Sequence, residues 1–184
     1  MKDICASCTT NCCENYTVFI NGFDLYRIVE HTGLHPSKFV NLYSDVEEGG
    51  RDYHFTLGED LWLKMSLTSE EKGACTFLEK SEERGKCAIH PFRPNVCRGY
   101  PFELVKGKLR HIEKVFCPSR WEPGDAEKEN FRKAIEAMDS DYRAYHAMVK
   151  RWNEMAVREP GKQHHPDEFM RYVLGEVKKA LASP

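Results

Sequence analysis

The chain has 184 residues, of which 41% are hydrophobic and 30% charged, and its formal net charge is -2. A chain of this length can bury a core that folds without disulfides, and its charge provides no basic field for nucleic acid or an anionic membrane. No run approaches the roughly 20 apolar residues of a membrane span, and the first residues, MKDICASC, lack the apolar stretch of a secretion signal. We therefore expect a cytoplasmic protein without a nucleic-acid or membrane partner.

The first feature along the chain is a cysteine cluster in ICASCTTNCCEN, residues 4–15. Its members are Cys5, Cys8, Cys12 and Cys13. Three interpretations compete: disulfides, a catalytic thiol pair and thiolate ligands for a metal. In a reducing compartment thiols stay reduced or bind metal, and a thioredoxin-like pair would need a βαβ context. Metal ligation is therefore the favoured interpretation.

Residues 23–45, FDLYRIVEHTGLHPSKFVNLYSD, predict two short helices separated by a turn at residues 33–36. Asp24 is the expected cap of the first helix. The pair resembles a helix-turn-helix only superficially, because its second helix has a single basic residue, Lys38. Core packing explains the pattern better than DNA binding.

Four segments then have strand character: DYHFTL, LWLKMSL, CTFLE and FELVKGKLRHIEKVF. In the last, Gly107 interrupts two apolar stretches and predicts a hairpin turn. We expect a small antiparallel sheet whose loops present the remaining cysteines. These are Cys75, Cys87, Cys97 and Cys117.

The most distinctive segment is KCAIHPFRPNVCRGYPF, residues 86–102. Its three prolines remove backbone donors and favour an irregular path around a metal. Arg93 and Arg98 place positive charge beside two cysteines, where they can bind the cofactor by hydrogen-bonding sulfur or, alternatively, bond loop carbonyls. His90 could be a ligand or proton donor, or else a packing residue.

From residue 125 the pattern becomes helical, with Asp125 as a possible cap and residues 160–161 as the end of the helix. One apolar stripe runs along it. Its members are Phe131, Ile135, Met138, Tyr142, Tyr145, Met148, Trp152 and Met155.

A second helix is predicted at about 166–181. Its expected inward residues are Phe169, Val173 or Leu174, Val177 and Leu181. We expect both helices to cover the cysteine-bearing core, with a homo-oligomer interface or a docking surface as the alternative. His164 and His165, just before this helix, are expected at the surface.

Thiolates are soft ligands that select zinc, copper(I) or iron–sulfur clusters. The side chains of Cys12 and Cys13 should project in different directions, so we infer two metal centres or two irons of one larger assembly. Eight cysteines suffice for two all-cysteine sites. Iron–sulfur clusters are favoured, and two zinc ions are the alternative.

The N-terminal cluster, the segment CTFL at residues 75–78, the segment at 87–102 and Cys117 together resemble the YkgJ-like cysteine-cluster family. The resemblance covers about residues 1–120 and implies zinc or iron chelation. A related domain occurs in flagellin lysine N-methylases, which implies protein methylation as an outside possibility. Here three residues, rather than the two that are usual in the family, separate Cys8 from Cys12. His90 occupies a position where tyrosine is common.

These inferences combine into an α+β protein with a metal-binding domain at 1–120 and a helical extension at 121–184. All eight cysteines are candidate ligands, and the catalytic residues are unknown. The function expected is redox or cluster-assisted chemistry at iron–sulfur centres, acting on an unknown protein or small molecule. The alternative is a non-catalytic zinc-binding interaction module.

Overall fold

The computed structural model describes residues 12–44, 53–58, 61–68, 73–80, 85–113, 115, 117 and 121–183. Short antiparallel strands and a long C-terminal helix confirm the α+β class. The helices are α1 (Cys12–Asn15), α2 (Gly22–Thr32), α3 (Asn95–Gly99), α4 (Asp125–Val157) and α5 (Pro166–Ala182). The strands are β1 (Asn41–Tyr43), β2 (Phe55–Thr56), β3 (Trp62–Ser66), β4 (Leu78–Lys80), β5 (Gly85–Cys87), β6 (Phe102–Val105) and β7 (Lys108–His111).

The chain forms two compact units, each assembled from two separate stretches. The cysteine unit comprises Met1–Val18 and Leu67–Asp139, and the helical unit comprises Phe19–Ser66 and Ser140–Pro184. Helix α4 begins in the first unit and ends in the second. The division of the chain at residue 120 stays a prediction.

The helical unit packs α2 against α5 and contains a three-stranded antiparallel sheet of order β1-β3-β2. Phe55 and Phe169 are fully buried, and their rings stack with centroids 3.6 Å apart. Trp152 of α4 donates its indole N–H to the carbonyl of Thr56 at 2.8 Å. Burial of these large rings stabilises the unit, because each removes considerable apolar surface from water.

The cap of α2 differs from the one predicted. Asn21, not Asp24, is the N-cap, and its side chain accepts hydrogen bonds from the backbone N–H groups of Phe23 and Asp24. Asp24 instead accepts from the Asn21 backbone and completes a capping box. Asp24 also pairs with Arg27 at 2.9 Å. The true cap lies three residues earlier because the helix starts at Gly22.

The second helix predicted within 23–45 is wrong. Only a 3-10 helix, Pro36–Lys38, follows the turn, and β1 then pairs with β3. The predicted turn itself is present, because Gly33 ends α2 in the left-handed conformation with φ 66°. Pairing of β1 with a strand distant in sequence overrode the local helical pattern.

The cysteine unit contains two small hairpins, β4–β5 and β6–β7. The predicted turn in the second is confirmed: Lys106 and Gly107 have φ of 50° and 74° and connect paired strands. Positive φ at both central residues is typical of a tight two-residue turn. Strand β5, which carries Cys87 at its end, was not predicted, because its sequence GKC has no alternating apolar pattern.

The α4 stripe is confirmed at Ile135, Tyr145, Met148 and Trp152, which are all buried. Met155 was placed on the same stripe but is 42% exposed, because the neighbouring Ala156 faces inward instead.

Helix α5 buries Phe169, Val173 and Val177 as expected. Leu181, expected inward, is 60% exposed because it lies in the last turn of the helix, Pro166–Ala182. Whether these helices also form an interface with another chain stays a prediction.

His164 was expected at the surface, but its side chain is only 3% exposed. Its ring lies against Trp152 and hydrogen-bonds Glu168 at 3.1 Å. His165 is exposed and caps α5. Among the described helices, none has the length and apolar composition needed to cross a membrane.

Candidate metal centre

Cys12 and Cys13 open the four-residue helix α1 in the cysteine unit. The carbonyl of Cys12 accepts the backbone N–H of Tyr16 at 2.9 Å, and that of Cys13 accepts the backbone N–H of Cys75 at 2.8 Å. The second bond joins residues 13 and 75 directly. Folding therefore brings the N-terminal cluster to the first of the widely spaced cysteines.

Cys75 and Cys87 reach the same place through the hairpin β4–β5. The carbonyl of Cys75 accepts the backbone N–H of Leu78 at 3.0 Å, at the start of β4. Leu78 is in turn the antiparallel partner of Cys87 in β5. A hairpin just after Cys75 thus returns the chain to it with a second thiol.

The thiol of Cys13 interacts with three other cysteines. Its hydrogen bond with Cys12 lowers its pKa, but a hydrogen bond with Cys75, burial and the charges of Cys75 and Cys87 raise the pKa to about 12. Clustered thiols behave in this way because each thiolate would repel the next. Cys13, Cys75 and Cys87 therefore share one electrostatic environment.

The thiol of Cys12 has a different second neighbour. Its hydrogen bond with Cys13 and its burial hold the pKa far above the ordinary value, while the charge of Arg93 acts in the opposite direction. The adjacent cysteines therefore differ in environment. Cys13 is influenced by Cys75 and Cys87, and Cys12 by a guanidinium.

Arg93, whose charge acts on this thiol, is in contact with His90. Arg93 donates through Nη1 to the His90 ring Nε2 and, at 3.3 Å, to the His90 carbonyl. His90 begins a 3-10 helix that ends at Phe92, with Pro91 in its first turn. His90 is thus a hydrogen-bond acceptor for Arg93 in this structure.

Tyr100, at the C-terminus of α3, contacts Cys117 and Tyr16. The backbone N–H of Cys117 donates to the Tyr100 hydroxyl at 2.9 Å, and the Tyr100 ring packs edge-on against Tyr16 at 5.4 Å. Burial, a hydrogen bond with Tyr16 and the charge of Cys12 raise the pKa of Tyr100 well above its usual range. Tyr100 is therefore a neutral phenol held by Tyr16 and by the backbone of Cys117.

Cys97 lies in α3, three positions before Tyr100, and Arg98 follows it with an exposed side chain. Gly99 of the same helix lies against α4. A β-carbon added there would be 2.9 Å from Cγ1 of Ile135, so only glycine allows α3 to pack this closely. This contact fixes the position of the helix that carries Cys97.

The described cysteines contain no disulfide, and among the described residues no three cysteine, histidine, aspartate or glutamate side chains are arranged to hold a metal ion. Cys5 and Cys8 lie outside the described residues. The chemistry of the donors nevertheless fits a metal. Thiols from distant segments meet in one partly buried region. Because neighbouring thiolates would repel one another, these thiols keep their protons in the absence of metal. A bound soft cation would take the place of those protons.

The sequence nominated the cysteines, His90 and Arg93, and the structure brings Cys12, Cys13, Cys75 and Cys87 together, with the charge of Arg93 acting on Cys12. Tyr16 and Tyr100 were missed. Tyr100 could have been noticed, because it lies between Arg98 and Pro101 in the distinctive segment. Tyr16 offers no comparable pattern, since only folding places it against Tyr100.

A family model named CxxCxxCC and described as "Putative zinc- or iron-chelating domain" matches residues 4–118. This stretch contains all eight cysteines and the segment at 87–102. No solved structure gives a significant match to the chain. The family description supports metal binding in general and leaves open which of the two metals is bound. The match extends over more than half of the 184 residues, and the chain therefore belongs to this cysteine-cluster family.

Proposed function

We propose that the protein binds iron–sulfur clusters through its cysteines at two centres and uses them in redox or cluster-assisted chemistry. The observation that carries this proposal is the different surroundings of two adjacent thiols. Cys12 and Cys13 hydrogen-bond each other, but beyond that pair Cys13 is hydrogen-bonded to Cys75 and influenced by the charge of Cys87, whereas Cys12 is influenced by the charge of Arg93. Neighbouring cysteines directed to different partners suit two centres, or two irons of one assembly, better than one small ion.

The first proposed centre, the Cys13 side, uses Cys13, Cys75 and Cys87. The second, the Cys12 side, uses Cys12, Cys97 and Cys117; the hydrogen bond from Cys117 to Tyr100 at the end of α3 supports this grouping. Cys5 and Cys8 supply the remaining thiols. Four thiolates per centre are the usual ligand set of an iron–sulfur cluster.

Bound iron–sulfur clusters supply one-electron transfer or polarise a bound group. The chain's own contribution is to hold the thiols in a partly buried region, where the charge of Arg93 acts on the Cys12 thiol. A cytoplasmic location accords with this role, because a reducing compartment keeps cysteines available to metal.

The decisive experiment measures iron, zinc and acid-labile sulfide in anaerobically purified protein, with visible spectra before and after dithionite. Iron with matching sulfide and a broad band that bleaches on reduction supports the proposal. Protein with neither metal contradicts any metal-binding role under these conditions. A zinc-reconstituted control shows whether the spectrum belongs to the iron.

The grouping of ligands can be tested with single serine variants. Cys13→Ser and Cys75→Ser should lose metal from one centre, and Cys12→Ser, Cys97→Ser and Cys117→Ser from the other. Within each group the residual spectra should match, and they should differ between the groups. Full retention of metal in Cys12→Ser and Cys97→Ser would contradict the ligand assignment.

A zinc-binding module without catalysis is the second candidate. One observation favours it: Cys12, Cys13, Cys75 and Cys87 are linked by thiol interactions, and four thiolates make a complete tetrahedral zinc site. Such closed sites stabilise folds and do not bind substrate. Colourless protein with about two zinc ions per chain would establish this alternative.

A further inference from the structure

We propose that a cavity in the helical unit binds a small aromatic carboxylate, and that Lys64 and Tyr145 recognise the charge of this ligand. The cavity has a volume of about 140 Å³, and four aromatic side chains line it together with Lys64. They are Phe19, Tyr53, Tyr142 and Tyr145. All of these residues belong to the helical unit, so the inference does not depend on the proposed metal centre.

The size of the cavity and the nature of its walls select the shape of the ligand. An apolar cavity of about 150 Å³ in a protein core accommodates one molecule of benzene. The present cavity therefore has room for a single ring. Its walls already contain one pair of aromatic rings packed edge-on, because the centroids of Tyr53 and Tyr142 are 5.3 Å apart. A planar aromatic ligand would add contacts of the same kind.

The lining side chains lead from solvent into the core. Tyr53 is 40% exposed, whereas Tyr145 is only 2% exposed. The ring of Tyr145 is held closely by α2, because a β-carbon added at Gly22 would be 3.2 Å from its Cδ2 atom. The buried wall is therefore already ordered before a ligand enters, and binding costs little further conformational entropy there.

The hydroxyl of Tyr145 is buried and has no hydrogen-bond partner among the described residues. Most buried polar groups in proteins have a partner, and an unpaired one lowers stability. Burial and the charge of Tyr142 raise the pKa of Tyr145 well above its usual range, so the hydroxyl keeps its proton. A carboxylate on a bound ring would accept that proton in a hydrogen bond and supply the partner.

Lys64 brings a positive charge to the wall of the cavity. Its Nζ lies 5.1 Å from the centroid of the Phe19 ring. The backbone N–H of Ile20 donates to the carbonyl of Met65 at 3.0 Å, and this bond holds the chain at Phe19 next to the strand that carries Lys64. The ammonium group stays charged in such a contact. Its charge favours an aromatic carboxylate over a neutral ring and opposes an aromatic ammonium ion.

The test titrates the full-length, anaerobically purified protein with three probes of similar size: benzoate, benzyl alcohol and benzylammonium. Isothermal titration calorimetry measures the three affinities. We expect benzoate to bind, and benzyl alcohol to bind at least about 10-fold more weakly, because it lacks the charge that strengthens both polar contacts. Benzylammonium should give no measurable binding.

Two variants locate the benzoate site. Lys64→Met and Tyr145→Phe should each weaken benzoate binding by about 10-fold or more, the usual effect of losing a charged hydrogen-bond partner. Lys178→Met, which removes an exposed lysine of α5, is the matched control and should bind benzoate like the wild type. Without ligand, Tyr145→Phe should be at least as stable as the wild type, because it removes a buried hydroxyl that has no described partner.

Three results would overturn the inference: no benzoate binding by the wild type, equal affinity for benzylammonium, or unchanged benzoate affinity in both variants. If Lys64→Met does not fold, Tyr145→Phe still decides, because it removes a single oxygen atom. A clear loss of stability in unliganded Tyr145→Phe would show that the hydroxyl already has a partner such as a buried water, and would overturn the role of Tyr145.

Metal content measured in the same samples separates this inference from the proposed function. Metal-loaded protein that binds no benzoate contradicts only the aromatic carboxylate site. Protein that binds benzoate but contains neither iron nor zinc supports this site and contradicts only the proposed metal-dependent function.

Discussion

The helical unit and the cysteine unit are stabilised in different ways. In the helical unit Phe39, Phe55 and Phe169 are at most 1% exposed, and both α2 and α5 begin with capping boxes. In the described part of the cysteine unit, the buried apolar residues are small or scattered. They are Val18, Leu67, Cys75, Phe77, Ile89, Phe102, Ala134 and Ile135.

The difference indicates what each unit needs in order to fold. Continuous burial of large side chains stabilises the helical unit by itself. The cysteine unit instead has two-stranded hairpins, which are marginal alone, and partly buried thiols with raised pKa values at its centre. We infer that metal supplies the stability that apolar packing supplies elsewhere.

The largest effect should come from removing the metal. After treatment with a chelator, the backbone amides of β4, β5 and α3 should lose their protection from hydrogen exchange, while those of α2 and α5 should keep it. The effect is large because binding of a structural metal contributes about 10–16 kcal/mol in small metal-dependent domains. Hydrogen-exchange mass spectrometry measures both regions in one sample. Equal loss of protection in both units would contradict the comparison.

Phe169→Ala should lower the free energy of unfolding by about 3–5 kcal/mol, because it removes a buried ring stacked on Phe55. Metal content per folded chain should not change. Denaturant unfolding with metal analysis of the folded fraction checks both statements. Leu181→Ala, on the same helix but 60% exposed, is the matched control and should shift stability by less than about 0.5 kcal/mol.

Gly99→Ala should destabilise the cysteine unit by about 1–3 kcal/mol, because the new methyl group meets Ile135 of α4. At Gly175 of α5 an added β-carbon would have no heavy atom of the described residues within 4 Å apart from its own helix backbone, so Gly175→Ala should stabilise the helix by up to about 1 kcal/mol. Thermal unfolding of the metal-loaded variants measures the two changes. Stabilisation by Gly99→Ala would show that the close contact of α3 with α4 is absent.

Asn21→Ala should have the smallest effect, about 1 kcal/mol of lost stability in the helical unit, because α2 loses its N-cap. Asn21→Ser keeps a capping oxygen and should restore most of the loss. Urea unfolding monitored by circular dichroism is sensitive enough for this comparison. If Asn21→Ser lost as much stability as Asn21→Ala, Asn21 would stabilise the unit by some means other than capping α2.

Sequence patterns were most reliable where local periodicity and composition decide the structure. The 3.6-residue stripe predicted α4 and α5, and the Lys106–Gly107–Lys108 interruption predicted the β6–β7 hairpin. Patterns were less reliable where distant segments compete for the chain. Residues 41–43 were predicted to be helical but pair with β3. His164 was predicted to lie at the surface but packs against Trp152.

The sequence by itself determined the chemistry: eight cysteines, their spacing and the segment at 87–102 identify a metal-chelating family, because soft thiolate donors suit few other purposes in such numbers. Only the tertiary structure decided how those thiols are distributed. Cys12 and Cys13 are neighbours in the chain, yet the charge of Arg93 acts on the first, whereas Cys75 and Cys87 act on the second. The cause is a backbone hydrogen bond between residues 13 and 75, together with a hairpin that brings Cys87 back toward Cys75. These contacts form only on folding, and no local sequence pattern predicts them.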